Sequence, residues 1–181
     1  MLFKDSPQNF GLTLILFHWL SAALIIFLFI MGQVMEGMPR GIEKIGLRQL
    51  HQSVGMILLL IVFLRLAWRL TQGFSVAADP SARFFNLILR AWHWALLIIM
   101  IAIPISGYIA SESGFRGVLF LGLFTFPDLI SFDRDLHQRS EDPHKFSVKI
   151  LAPLVGIYFH ASLKNHFWNK DATLRRVLKT G

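Results

Sequence analysis

Four histidines, one in each of four long apolar segments, are the residues of this chain best suited to chemistry: His18, His51, His93 and His144. An ionisable side chain inside a bilayer is costly, so a histidine within a membrane-spanning segment indicates function. A single one could instead form a hydrogen bond between helices. One histidine in each of four segments is more typical of two pairs of axial ligands, each pair holding one planar cofactor.

The segments that carry these histidines are long enough to cross a membrane. The chain has 181 residues, of which 54% are hydrophobic, and a hydrocarbon core requires about 20 apolar residues per helix. We predict helices at about 10–35, 48–70, 84–110 and 143–168. The predicted fold class is all-α: one domain over residues 1–181, an integral membrane four-helix bundle with up-down-up-down topology.

The charges predict the orientation of the bundle. If the N-terminus is inside, the inner segments hold ten basic and three acidic residues, and the outer connections hold eight of each. The net charge of +7 therefore lies entirely on one side. The positive-inside rule then places both termini in the cytoplasm, with the chain as a multi-pass protein of the bacterial inner membrane. Because the basic residues border membrane spans, we expect no nucleic-acid partner.

Antiparallel helices sort the histidines into two layers. His18 and His93 lie eight or nine residues into helices that enter from the inside, about 12 Å from the inner helix starts. His51 and His144 lie near the starts of helices that enter from the outside. We refer to His18 and His93 as the inner pair, and to His51 and His144 as the outer pair.

Two imidazoles on opposite faces of a haem iron favour electron transfer, because they fill both axial positions. The chain has no cysteine, so haem cannot be attached through a C-x-x-C-H motif and would be held non-covalently. The four histidines are thus the predicted ligands of haem iron. Arg65, Arg69 or Arg90 could contact the propionates of an inner haem.

The other histidines are weaker candidates. His160 matches the inner layer in depth, but it lies 16 residues after His144, which turns it about 160° away from that face of the helix. A residue 14 positions after His144 would return to within about 40° of the same face. Pro153 could change this phase, so His160 stays an alternative to His93. His137 is expected to be solvated, and His166 to lie at the inner interface or contact quinone.

Several motifs together resemble the bacterial cytochrome b561 family, of the small four-helix dihaem type. The similarity covers nearly the full length and rests on these stretches: 17–20 (FHWL), 50–55 (LHQSVG), 65–69 (RLAWR), His93 with 105–108 (ISGY), and 166–174 (HFWNKDATL). One position departs from the family pattern. Relatives usually carry a second histidine on helix four, 14 residues after the first, and this chain has Tyr158 there.

The resemblance implies two haem b groups and quinone as electron partner, with ubiquinone as the expected substrate. Some members of the family oxidise superoxide in the periplasm and pass the electron to ubiquinone. The outer basic residues Arg40, Lys44, Arg48 and Arg116 could steer such an anion. They are also suited to ordinary contacts with lipid headgroups, which is the favoured interpretation.

The predicted function is a b-type dihaem cytochrome that transfers electrons between a periplasmic donor, such as superoxide, and the quinone pool. The alternative is a membrane-anchor cytochrome subunit of a larger dehydrogenase or hydrogenase complex. A third hypothesis is a haem-free structural or transport protein that uses the histidines for protons or metal. The expected partners are membrane lipid, quinone and a redox partner protein. Enzymatic activity is left open, and no catalytic residue is predicted.

Overall fold

The computed structural model describes residues 11–72, 83–114 and 117–167. Within them the chain forms four long helices and one short hairpin: α1 (Leu12–Gly37), α2 (Ile42–Gln72), α3 (Arg83–Ser113), β1 (Leu119–Phe120), β2 (Phe124–Thr125) and α4 (Arg134–Phe167). Each helix contains a stretch long and apolar enough to cross a membrane. Both chain ends, the predicted inner loop after α2, and Arg116 lie outside the described residues.

Consecutive helices pack against one another, α1 on α2, α2 on α3 and α3 on α4. The second helix is the central one, because it contributes a buried stripe of Val54, Leu58, Ile61 and Val62. This spacing of three and four residues keeps the four side chains on one helix face. The fold is a four-helix membrane bundle, as the sequence predicts.

Large apolar side chains cover the outer surface of the bundle. Leu16, Leu60, Ile98 and Ile157, one from each helix, are all more than half exposed. In water such a surface would be an aggregation liability. In a bilayer it is the surface that faces lipid.

Two helices begin earlier than the apolar pattern indicates. The second begins at Ile42 rather than 48, and the fourth begins at Arg134 rather than 143. Asp133 caps the fourth helix, where its Oδ1 accepts the backbone N–H groups of Asp135 (2.9 Å) and Leu136 (3.0 Å). Hydropathy detects only the lipid-embedded part of a helix, so these polar first turns were missed.

The outer connection between α3 and α4 contains an antiparallel hairpin that the sequence did not predict. Its strands pair Leu119 with Thr125 and Phe120 with Phe124. Leu121 and Gly122 form the turn, with φ angles of 50° and 74°. Strands of two residues give too short an alternation to be recognised in a sequence. The first strand of this hairpin packs against α2.

Candidate haem-binding site

The outer pair meets across the bundle. His51 on α2 and His144 on α4 are both half-buried, and their ring centres lie 6.4 Å apart with the ring planes at 81°. A bond from imidazole nitrogen to a metal is about 2 Å long, and the ring centre lies about 1 Å behind that nitrogen. Two rings bound to opposite sides of one metal are therefore about 6 Å apart. The observed separation fits that arrangement.

A backbone carbonyl orients His144. Its Nδ1 lies 2.8 Å from the carbonyl oxygen of Ile103 on α3. Because a carbonyl oxygen can only accept, Nδ1 must carry the proton and donate it. The lone pair of the neutral ring is then on Nε2, free to bind a metal. A metal-binding histidine is usually held in this way by a hydrogen bond from its other nitrogen.

A glycine allows this close approach between α4 and α3. A Cβ atom added to Gly107 would lie only 2.9 Å from Cε1 and 3.0 Å from Nδ1 of His144. Both distances are well inside ordinary carbon contact, which is about 3.5–4.0 Å. Only glycine therefore leaves room for the His144 ring at this position of α3.

The ring of His51 is held less tightly. Its Nδ1 is buried and, among the described residues, has no hydrogen-bond partner. A buried polar group without a partner is costly unless a ligand, ion or water satisfies it. On the neighbouring helix α1, a Cβ added to Gly32 would lie 4.0 Å from Cε1 of His51, which is ordinary contact. The two histidines thus present one oriented ring and one ring with an unsatisfied buried nitrogen.

The hairpin is fixed to α2 next to the outer pair in sequence, through Ser53. Ser53 is fully buried, and its Oγ accepts the backbone N–H of Leu121 at 2.9 Å. The same hydroxyl lies 3.0 Å from the carbonyl oxygen of Leu119. One residue earlier, Gln52 donates to Ser111 Oγ on α3 at 2.9 Å. The Ser53 bonds hold the hairpin against α2, and the Gln52 bond joins α2 to α3.

The inner pair lies beside charged and aromatic side chains. His18 on α1 is within electrostatic range of His93 on α3 and of Arg65 on α2. Arg65 also lies near the hydroxyl of Tyr158 on α4. All four helices thus contribute a polar side chain to the inner layer.

Tyr158 is in direct contact with His93. The phenol oxygen lies 2.9 Å from Nε2 of His93, and the ring centres are 5.3 Å apart. Tyr158 therefore faces the interior of the inner layer, as a residue 14 positions after His144 should. His160 is exposed, and its Nδ1 donates to the carbonyl of Gly156 on its own helix at 2.8 Å.

The two remaining histidines take different positions. His137 is half-buried rather than solvated: its Nδ1 lies 2.7 Å from the carbonyl oxygen of Ala110, and its Nε2 is 3.3 Å from Glu141. It belongs to α4, because that helix begins before it, and it links α4 to the outer end of α3. His166 lies at the inner end of α4, next to Phe167.

Comparison with known proteins places the chain in a family. The family model for prokaryotic cytochrome b561 matches residues 9–180. The chain belongs to this family. It is 29% identical to "Cytochrome b561 homolog 2" of Escherichia coli strain K12, over 98% of this chain and 95% of that protein. It is 24% identical to "Probable superoxide oxidase CybB" of Yersinia pestis, over 89% of this chain and 90% of that protein.

Because the chain belongs to this family, it is an electron-transfer protein of the bacterial inner membrane that binds haem b. The outer pair of this cytochrome b561 fits such a group in three respects: the ring separation, the orientation of His144, and the room left by Gly107. The inner pair supplies the right donor atoms. One of them, Nε2 of His93, already bonds to Tyr158.

Two indole donors near the inner layer fit an acidic group. The Nε1 atoms of Trp68 on α2 and Trp92 on α3 are buried and have no partner among the described residues. Haem carries two propionates, which accept hydrogen bonds from such N–H groups. From the sequence, only arginines are candidates for this contact, because an indole in a membrane segment is typical of an interfacial anchor.

The residues that support the outer histidines were also missed. Ser53, Gly107 and the carbonyl of Ile103 act through contacts between helices, which no spacing along one helix reveals. Gly107 could be recognised as a small residue near the ligands. Its particular partner, His144, could not.

Proposed function

We propose that this chain is a dihaem b-type cytochrome that carries electrons from a periplasmic donor to the quinone pool. His51 and His144 hold the outer haem, and His18 and His93 hold the inner one. The proposal rests chiefly on one observation, the 6.4 Å separation of the two outer imidazole rings. Haem held by these histidines would supply one-electron transfer chemistry.

The depths of the two layers support transfer across the membrane. His144 and Tyr158 mark the outer and inner layers on α4, and they are 14 residues apart in the sequence. At 1.5 Å per residue this is about 21 Å along the helix, out of a hydrocarbon core of about 30 Å. The residues of the chain fix this separation, because both layers are built on the same four helices.

Superoxide is the proposed periplasmic donor, and ubiquinone is the proposed acceptor. The relative from Yersinia pestis carries the name of a superoxide oxidase. Two superoxide ions would release two electrons and become two molecules of oxygen. One ubiquinone would take up these electrons with two protons and become ubiquinol.

One of the outer basic residues, Lys44, is engaged by the protein itself. Lys44 donates a hydrogen bond to the backbone carbonyl of Met38 at 2.9 Å, so it binds the C-terminal end of α1. A lysine held in this way has less freedom to guide an anion. The proposed donor therefore rests on the relative and on the orientation that the charge distribution predicts for the bundle.

Optical spectra of the purified chain test the proposal. Superoxide generated enzymatically should reduce the cytochrome, and added ubiquinone should reoxidise it. Superoxide dismutase is the control and should abolish the reduction. The variant His144→Ala should lose both responses if electrons enter through the outer site. A chain that superoxide does not reduce, but that copurifies with a larger dehydrogenase or hydrogenase, would instead be a membrane-anchor subunit.

A further inference from the structure

The hydrogen bond between Tyr158 and His93 has a consequence for the inner site, provided that the proposed inner haem exists. Nε2 of His93 lies 2.9 Å from the phenol oxygen. Whichever of the two groups donates, that nitrogen has no lone pair free for a metal. If the phenol donates, the lone pair is used, and if the imidazole donates, the nitrogen carries a proton.

The outer layer shows the opposite arrangement. His144 uses Nδ1 for its backbone bond, which leaves Nε2 available. His93 uses Nε2 itself for the bond to a side chain. Iron at the inner site would therefore have to replace the phenol at His93, whereas at the outer site it would replace nothing at His144.

The phenol of Tyr158 is fixed in this position by its surroundings. It lies near the hydroxyl of Ser162, one turn further along α4, and near the guanidinium of Arg65. The helix also holds the tyrosine on the face that bears His144, since the two are 14 residues apart. The phenol therefore cannot leave His93 without giving up contacts to its neighbours.

We propose that Tyr158 competes with haem iron for His93 and thereby makes the inner haem the weaker of the two. The inner site would fill after the outer site and release its haem first. Tyr158 is in this sense a residue that sets cofactor occupancy.

Haem titration of the haem-depleted full-length chain tests this competition. The variant Tyr158→Phe keeps the ring and removes only the hydroxyl. A hydrogen bond of ordinary net strength is worth a factor of about two to ten in an equilibrium constant. The second equivalent of haem should therefore bind to Tyr158→Phe about two to ten times more tightly than to the wild type. The first equivalent should bind with wild-type affinity, and it therefore serves as an internal measure of folding.

Two further variants complete the experiment. Tyr108→Phe is the matched control, because Tyr108 is the other tyrosine of the chain and packs against Phe126 near the outer hairpin. It should leave the affinity for both equivalents of haem unchanged. Ser162→Ala should raise the affinity for the second equivalent of haem by less than Tyr158→Phe does, since it removes only a neighbour of the phenol and leaves the phenol itself in place. Low-spin optical and electron paramagnetic resonance signals report whether each haem has two strong axial ligands.

The outcomes separate this inference from the proposed function. If Tyr158→Phe binds the second equivalent of haem with wild-type affinity, the proposed competition is wrong, whereas the assignment of the outer haem is unaffected. Loss of the second haem in Tyr158→Phe, with retention in His93→Ala, would show that the tyrosine itself holds the iron, and would also overturn it. Failure of the first equivalent to bind even the wild type would contradict the proposed function.

Discussion

The substitution Gly107→Ala should weaken the outer haem site through one close contact. The added methyl carbon would lie 2.9 Å from Cε1 of His144. Ordinary carbon contact begins at about 3.5 Å, so the ring must retreat by roughly 0.6 Å. Its 2.8 Å bond to the carbonyl of Ile103 would then lengthen to about 3.4 Å, beyond the usual limit of about 3.2 Å for such a bond.

Loss of this bond removes the group that orients His144. Mutating such a supporting partner typically lowers metal affinity by about 10–100-fold. Alanine favours a helix over glycine by roughly 0.5–1 kcal/mol, so the backbone itself should not be destabilised. We therefore expect haem affinity at the outer site to fall about 10–100-fold, without unfolding of the bundle.

Haem titration followed by optical absorbance measures this loss, and Gly46→Ala is the matched control. Gly46 lies on α2, and a Cβ added there meets no atom within 4 Å. The control should bind haem as the wild type does. If Gly107→Ala also binds haem with wild-type affinity and an unchanged low-spin spectrum, the contact with His144 does not constrain the site.

Two other substitutions test neighbouring parts of the structure. Ser53→Ala should remove the fully buried hydroxyl that accepts the backbone N–H of Leu121, which costs about 0.5–1.5 kcal/mol and should lower the Tm; Thr71→Ala, whose exposed hydroxyl bonds only within α2, is its control. His160→Ala should keep the haem content of the wild type, because His160 is exposed and bonds to its own helix; loss of one haem in that variant would instead make His160 an inner ligand.

The general architecture could be predicted from the sequence because the physics of a bilayer is simple. A hydrocarbon core demands long apolar helices, and this demand fixed their number and order. Helical periodicity also indicated correctly that a residue 14 positions after His144 faces inward and that His160 does not. These are properties of single helices, which a sequence displays directly.

Contacts between helices could not be predicted in the same way. The bond from His144 to the carbonyl of Ile103 depends on how α3 and α4 approach each other. The early start of α4 depends on the cap at Asp133, which lies outside the apolar run. His137 was placed in a solvated loop for the same reason. Pairing across the bundle decides the position of His144, and spacing along one chain carries no record of it. The cap at Asp133 is local, but a search for apolar segments does not detect it.

The haem content of the chain and of its outer-pair variants tests the central claim most directly. With haem supplied in excess, the purified wild type should bind two low-spin b-type haems per chain. His51→Ala and His144→Ala should each lose the same single haem, the one bound more tightly, while retaining the other. A colourless wild-type protein, or two variants that keep the tight haem with its low-spin spectrum, would contradict the assignment of His51 and His144 as its ligands.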